Sequence, residues 1–194
     1  MRDEFYADRR DLWKWTVALN EAAGRTIVYV AMYRQNRQRP VPSGVRPDVY
    51  KFFARERQEL TREMKCARIS GLTLRIVPLL DAYDPKKADV YFDRVCGHIA
   101  SRSNGHGVLV FVDPDTGIAE SKPTARHVSF KHLALVWASM SAGDELVVYQ
   151  HNLREKPEDW IERKRGGLAK TLGMRESAVR SQPHADVCFF CMSK

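Results

Sequence analysis

The chain has 194 residues, 44% of them hydrophobic, which is enough for one domain with a packed core. Its 32 Lys and Arg outnumber 24 Asp and Glu, and the resulting net charge of +8 points to an anionic partner, nucleic acid first. No apolar run approaches the roughly 18 residues needed to span a bilayer, and the charged N-terminus "MRDEFYADRRDLWKW" is unlike a secretory leader, so a cytoplasmic protein without a membrane partner is expected.

The elements alternate along the chain. Residues 9–23, "RRDLWKWTVALNEAA", place Leu12, Trp15, Leu19 and Ala22 at helical spacing, and Gly24 stops the helix. "TIVYVAMY" (26–33) is a strand, apolar throughout as befits one covered on both faces. A loop with Arg34, Arg37, Arg39 and Arg46 comes next, and Pro47 opens a second helix over about 47–66. "LTLRIVPLL" (72–80) is a strand that ends at Asp81, and Pro85 starts the helix "PKKADVYFDRVCGHIASR". "GVLVFV" (107–112) is a strand that ends at Asp113. Ser129 caps "FKHLALVWASMSA", a helix expected to run to Gly143. "ELVVYQ" is a strand that ends at His151, Pro157 opens the helix "EDWIERKRGGLAKTL", and "ADVCFFCM" is the last strand.

Strands that alternate with helices at spacings of about 30 residues call for βαβ crossovers. The expected fold is therefore a single α/β domain over 1–194, a three-layer Rossmann-like architecture with a mostly parallel sheet. An α+β fold with some antiparallel pairing is the alternative.

Cys66, Cys96, Cys188 and Cys191 sit within apolar patterns and read as buried reduced thiols. "CFFC" has the CxxC spacing of zinc ligands, but a zinc site wants a second pair. On a strand, Cys188 and Cys191 also point to opposite faces.

In a parallel sheet all strand C-termini share one edge, where ligands bind. The four strands lead in turn into the arginine loop, "DAYD", "DPDTGIAESK" and "QHNLREK". Asp81, Asp113, Asp115, Gln150, His151 and Asn152 are thus expected on one rim beside Arg34, Arg37 and Arg39. The opposite ends, with Arg25, Thr26, Gly71, Gly107, Asp144 and Glu145, carry no comparable set by this reading. In "DPDTG", Pro114 stiffens the turn and Gly117 permits a positive φ or a ligand's close approach. Carboxylates as close as Asp113 and Asp115 repel unless a cation sits between them. Oxygen-rich clusters of this kind hold Mg²⁺ or Mn²⁺; the alternative is a turn whose aspartates cap backbone amides. His151 is a candidate acid, base or ligand, or else a structural histidine. Arg163, Lys164 and Arg165 read as a solvated helix face. Tyr6, Trp13 and Trp15 are candidates for stacking on bases or for core packing.

Several families share pieces of this pattern. The run D-P-D-x4-E-x-K, with Glu120 and Lys122, resembles the Pro-Asp…Glu-x-Lys signature of restriction-type nucleases, in which carboxylates bind metal and the lysine helps activate water. Those motifs lie on two strands of a hairpin, and four residues between Asp115 and Glu120 barely allow the turn. "DPD" is similar to the strand-end Asp-x-Asp of Toprim domains, although the glutamate such domains carry after their first strand is missing from "YVAMYRQ". "VFVDPD" resembles the Asp-Pro-Pro-Tyr of amino-methyltransferases, with Asp115 and Thr116 in place of the proline and the aromatic. The glycine-rich turn that would hold S-adenosylmethionine is replaced by "YRQNRQRP", which also removes the dinucleotide fingerprint. Residues 107–165 resemble a poorly characterised bacterial and phage group whose strands end in Asp-Pro-Asp-Asn-Gly and Tyr-Gln-His; Thr116 replaces the asparagine. That likeness implies a site, not a reaction.

These readings converge on a metal-dependent enzyme of nucleic-acid phosphodiesters. Asp113, Asp115 and Asp81 would hold Mg²⁺ or Mn²⁺, and His151 or Lys122 would move protons. Arg34, Arg37 and Arg39 would grip the backbone, with Gln150 and Asn152 on the substrate. The alternatives are a methyltransferase-like protein using S-adenosylmethionine, and a non-enzymatic nucleic-acid-binding or inhibitor protein.

Overall fold

The computed structural model describes residues 9–32, 76–79, 81, 83–103, 107–152, 155–184 and 186–194. The expected helix over 47–66, the first residues of the 72–80 strand, Cys66, Gly71 and Arg34, Arg37, Arg39 and Arg46 lie outside them.

A six-stranded sheet organises the chain, with β1 (Thr26–Val30), β2 (Ile76–Leu79), β3 (Val108–Val112), β6 (Glu145–His151), β7 (Arg180–His184) and β8 (Val187–Ser193) in the order β2-β1-β3-β6-β8-β7. The pairs β2–β1, β1–β3 and β3–β6 are parallel. The last strand departs from the expectation, because β8 runs antiparallel to both β6 and β7. Only two residues separate β7 from β8, so the chain must turn back on itself, and a hairpin forces the reversal. Strand β7, "RSQPH", has no apolar alternation and contains Pro183, which fits a partly exposed edge strand. Two short parallel strands, β4 (Gly117–Ala119) and β5 (His127–Ser129), form a second sheet in the segment expected to be a loop.

Helices cover both faces. On one lies α1 (Arg9–Ala22), whose Val17, Ala18 and Ala22 pack with Ile27, Tyr29, Leu109, Phe111, Val147, Tyr149, Phe189 and Cys191. On the other lie α2 (Ala88–Ala100), α3 (Phe130–Ala138) and α4 (Pro157–Leu172), over Val28, Val30, Val110, Val112, Leu146, Val148, Cys188 and Phe190. Alternate residues of each strand thus feed opposite cores, and the fully apolar strand runs result from that two-sided burial. Cys188 and Cys191 fall on opposite faces, as their spacing demands, and burial pushes the Cys188 thiol up to about 12. No helix among the described residues is long and apolar enough to cross a membrane.

Local signals explain the helix bounds. Asp84 accepts from the Lys86 amide at 3.0 Å, and Pro85–Lys87 forms a 3₁₀ turn ahead of α2. Ser129 caps α3 through the His132 amide at 3.2 Å. The helix ends at Ala138, short of Gly143, because Asp144 takes the Ser141 amide at 2.8 Å and turns the chain toward β6. Helix α4 continues through Gly166 and Gly167; a Cβ at Gly167 would lie 2.6 Å from the Phe130 ring, so the missing side chain lets α3 and α4 approach.

Candidate functional site

In the sheet, β2 flanks β1 on one side and β3 flanks it on the other, so the strand order reverses across β1. The crevice outside the carboxyl ends of strands at such a reversal is where open α/β sheets bind ligands. Asp113 occupies it, its amide bonded to the Val30 carbonyl at 2.9 Å.

Asp113 continues the face of Leu109 and Phe111 and therefore points toward α1. Its carboxylate is fully buried, with Oδ1 2.9 Å from the Lys14 ammonium and Oδ2 accepting from the Tyr29 hydroxyl at 2.7 Å. Lys14 is itself only 6% exposed, and its ammonium sits 4.2 Å from the centre of the Tyr149 ring. The cation expected beside Asp113 is thus a lysine from α1, not a metal ion at the rim. Of the expected stripe, Trp15, Leu19 and Ala22 pack on the core of this face while Leu12 is 65% exposed, and Lys14, Val17 and Ala18 are the buried residues beside them. A lysine in register with Val17 and Ala18 is the signal that could have disclosed this partner.

Asp81 does not join Asp113 and Asp115. It is exposed, lies beyond β2, and faces Arg94 at 3.9 Å. Asp115 is half-buried at the turn, where its charge acts on both His127 and His151. Glu120 stands at the far end of β4 from Asp115, roughly 15 Å along an extended chain, and is held by Arg163 at 2.8 Å and Lys164 at 3.0 Å. Since β4 and β5 are parallel, the hairpin of the nuclease-type motif is absent from this segment. Among the described residues, no three His, Cys, Asp or Glu side chains are placed to hold a metal ion. The donor set of Asp81, Asp113 and Asp115 does not fit Mg²⁺ or Mn²⁺.

Gln150, expected to contact substrate, is instead a clamp inside the protein. It is 1% exposed; its Oε1 accepts from the Ile118 amide at 2.8 Å, and its Nε2 donates to the carbonyls of Thr116 at 3.2 Å and His151 at 2.8 Å. Gly117 has φ +132°, and a Cβ there would lie 2.3 Å from Gln150 Oε1. The close approach expected at this glycine is therefore made by Gln150. Asn152 is exposed, its amide bonded to the Asp186 carbonyl at 2.8 Å. Lys122 is exposed between β4 and β5. Lys164, expected on a solvated face, is 1% exposed and donates to the Ile118 carbonyl at 2.7 Å.

His151 ends β6 on the α1 face, edge-on to Tyr149 at 5.3 Å. Burial, reinforced by the charges of Arg10 and Lys14, lowers its pKa to about 4, so it is neutral near pH 7. His127 joins the same region without any sequence motif to mark it. Burial lowers its pKa too, and its Nδ1 lies 2.8 Å from Thr124 Oγ1. The Thr116 backbone ties these regions together: its amide donates to the Arg126 carbonyl and its carbonyl accepts from the His151 amide, both at 2.8 Å. Chemically, the edge offers a neutral imidazole, a half-buried carboxylate and a rigid turn, a set suited to proton transfer. No protein-family model matches the chain, and no curated protein matches it.

Proposed function

We propose that this protein acts on nucleic acid at the carboxyl edge of its sheet, as an enzyme of phosphodiester chemistry on a Rossmann-like frame. The observation that carries the reading is where the charge lies. In the sequence, residues 33–75, between β1 and β2, hold eleven Lys and Arg against four Asp and Glu, so seven of the eight net positive charges fall in that one segment. Arg34, Arg37 and Arg39 lead it, and such a segment recognises a polyanion by phosphate contact. In this reading neutral His151 takes the proton from the attacking hydroxyl or water as its oxygen bonds to phosphorus. The P–O bond to the leaving oxygen breaks, and that oxygen takes up a proton from water. Asp115 favours the imidazolium that forms, and Lys122 lies on the chain just beyond. Asp113 remains inside, as the counter-ion that fixes α1.

A second reading is methyl transfer from S-adenosylmethionine to nucleic acid. It is favoured by the insertion of β8 antiparallel between β6 and β7, the sheet pattern of Rossmann-like methyltransferases, together with the strand-end "VFVDPD".

One set of incubations separates the readings. The purified protein is mixed with end-labelled DNA or RNA, with and without Mg²⁺ or EDTA, and separately with methyl-labelled S-adenosylmethionine. Cleavage that persists in EDTA and disappears in Asp115→Asn and His151→Gln supports the first reading. Label transfer without cleavage replaces it by the second. Salt-sensitive binding with neither product makes the protein a non-enzymatic binder.

A further inference from the structure

On the α1 face the carboxyl edge forms a row. Asp113 comes directly after β3, His151 ends β6, Asp186 precedes β8 and His184 ends β7. These four strands are successive neighbours in the sheet, so the row covers three inter-strand steps, about 14 Å. The first turns of α1 lie across it. Lys14 holds Asp113 at 2.9 Å, and Arg10 reaches Asp186 through two nitrogens at 2.8 and 2.6 Å. The charges of both act on His151. At the outer end Trp13 stacks flat on His184, with ring centres 4.2 Å apart and planes 17° from parallel.

Trp13 and Trp15 are both half-buried and pack against the core on the α1 face, and Trp13 also stacks on His184. Trp160 is buried, Trp15 packs toward Tyr29 and Phe111 within the α1 core, and Trp137 lies under the Lys194 ammonium. Trp13 and His184 are both half-buried at the rim, and Leu12 beside Trp13 is 65% exposed. The edge thus pairs each basic group of α1 with a carboxylate, Lys14 with Asp113 and Arg10 with Asp186, and ends in a stacked aromatic pair.

We propose that the outer end of this row, from Arg10 and Asp186 to Trp13 and His184, is a short track for single-stranded nucleic acid, and that the Trp13–His184 pair is the platform on which one unpaired base stacks. The inference rests on the proposed action on nucleic acid and adds the strandedness of the substrate. In a duplex the faces of each base are covered by its neighbours, so an aromatic platform on a protein edge reaches a base face only where the strand is single. Arg10, whose side chain is 39% exposed, supplies positive charge beside the platform for a flanking phosphate, while Lys14 stays enclosed on Asp113.

The test measures fluorescence anisotropy of a labelled oligothymidylate and of a labelled DNA hairpin of equal length, at low salt. Wild type is compared with Trp13→Leu and Trp13→Phe, with folding checked by circular dichroism. Stacking on an aromatic contributes about 1–3 kcal/mol per base, so Trp13→Leu weakens the single strand about 5- to 100-fold, Trp13→Phe recovers most of the loss, and the hairpin binds more weakly than the single strand throughout. If Trp13→Leu does not fold, ultraviolet cross-linking of the oligothymidylate to wild type decides: adducts fall on the peptides bearing Trp13 or His184. Undiminished binding by folded Trp13→Leu, hairpin binding as tight as the single strand, or adducts confined to other peptides overturn the track and leave the action on nucleic acid standing. Absence of binding by wild type overturns both.

Discussion

The two edges of the sheet are both rich in charge, yet they are built differently. At the amino edge Glu145, 5% exposed, is bonded by Arg25 at 2.7 Å and by Arg180, which also grips Glu21 at 2.6 Å. Burial raises the Glu145 pKa. Beside it Asp144 takes the Val108 amide at 2.8 Å and the Ser103 hydroxyl. These groups join α1, β3, β6 and β7, and each bond closes on a neighbouring element. At the carboxyl edge the polar groups fall into two tiers. Asp113, Lys14, Tyr29 and Gln150 are enclosed and hold the turn, while Asp115 and His151 stand half-buried above them. A count of polar residues does not separate a binding edge from a bracing one, because the amino edge is also densely charged. The two differ in burial, since Asp144 and Glu145 are enclosed at the amino edge whereas Asp115 and His151 are half-buried at the carboxyl edge.

The sharpest way to break this contrast is to attack the enclosed tier. Asp113→Asn leaves the Lys14 ammonium buried without its counter-ion, which costs about 3–5 kcal/mol and lowers the melting temperature on the order of 10 °C. Replacing both partners, as in Lys14→Met with Asp113→Leu, restores most of that stability, because apolar pairs of similar volume often match buried ion pairs. Thermal unfolding checks both. A single variant as stable as wild type means that Asp113 is not enclosed as described.

A smaller effect is expected at the turn. Gly117→Ala combines a left-handed φ with a steric conflict against Gln150. The expected loss is about 1–3 kcal/mol, measurable by denaturant titration, and the double variant with Gln150→Ala recovers only the steric part.

The smallest effect is on pH dependence. The His151 pKa falls from 6.5 to about 4 on folding. Between those values the unfolded chain binds the extra proton, so stability is present above pH 6.5 and is lost as the pH falls toward 4. Partial solvent exposure limits the loss to about 2 kcal/mol. His151→Gln should flatten that part of the stability profile; an unchanged slope assigns the acid sensitivity to other groups.

Much of the frame was legible in the sequence. Apolar runs with β-branched residues mark β1, β3, β6 and β8, and the alternation of elements implies parallel pairing for most of them. The placement of Asp113, Asp115 and His151 at one edge is implied by those strands alone. Three features were not legible. Strand β7 is held by pairing to β8 and has no hydrophobic pattern of its own. The reversal of β8 depends on how few residues separate it from β7. The role of Asp113 depends on Lys14, 99 positions away in the chain, and that pairing arises because α1 presents the face of Val17 and Ala18. The apolar stripe of Leu12, Trp15, Leu19 and Ala22 gave no sign that a lysine is buried beside it.

The most direct test of the central claim, that the carboxyl edge is the working edge, is amide hydrogen exchange with and without a bound oligonucleotide. Protection over residues 113–118 and 149–152, with the amino-edge segments 141–145 and 180–182 unchanged, is the predicted result. Protection confined to the amino edge, or binding that leaves both edges unprotected, would contradict it.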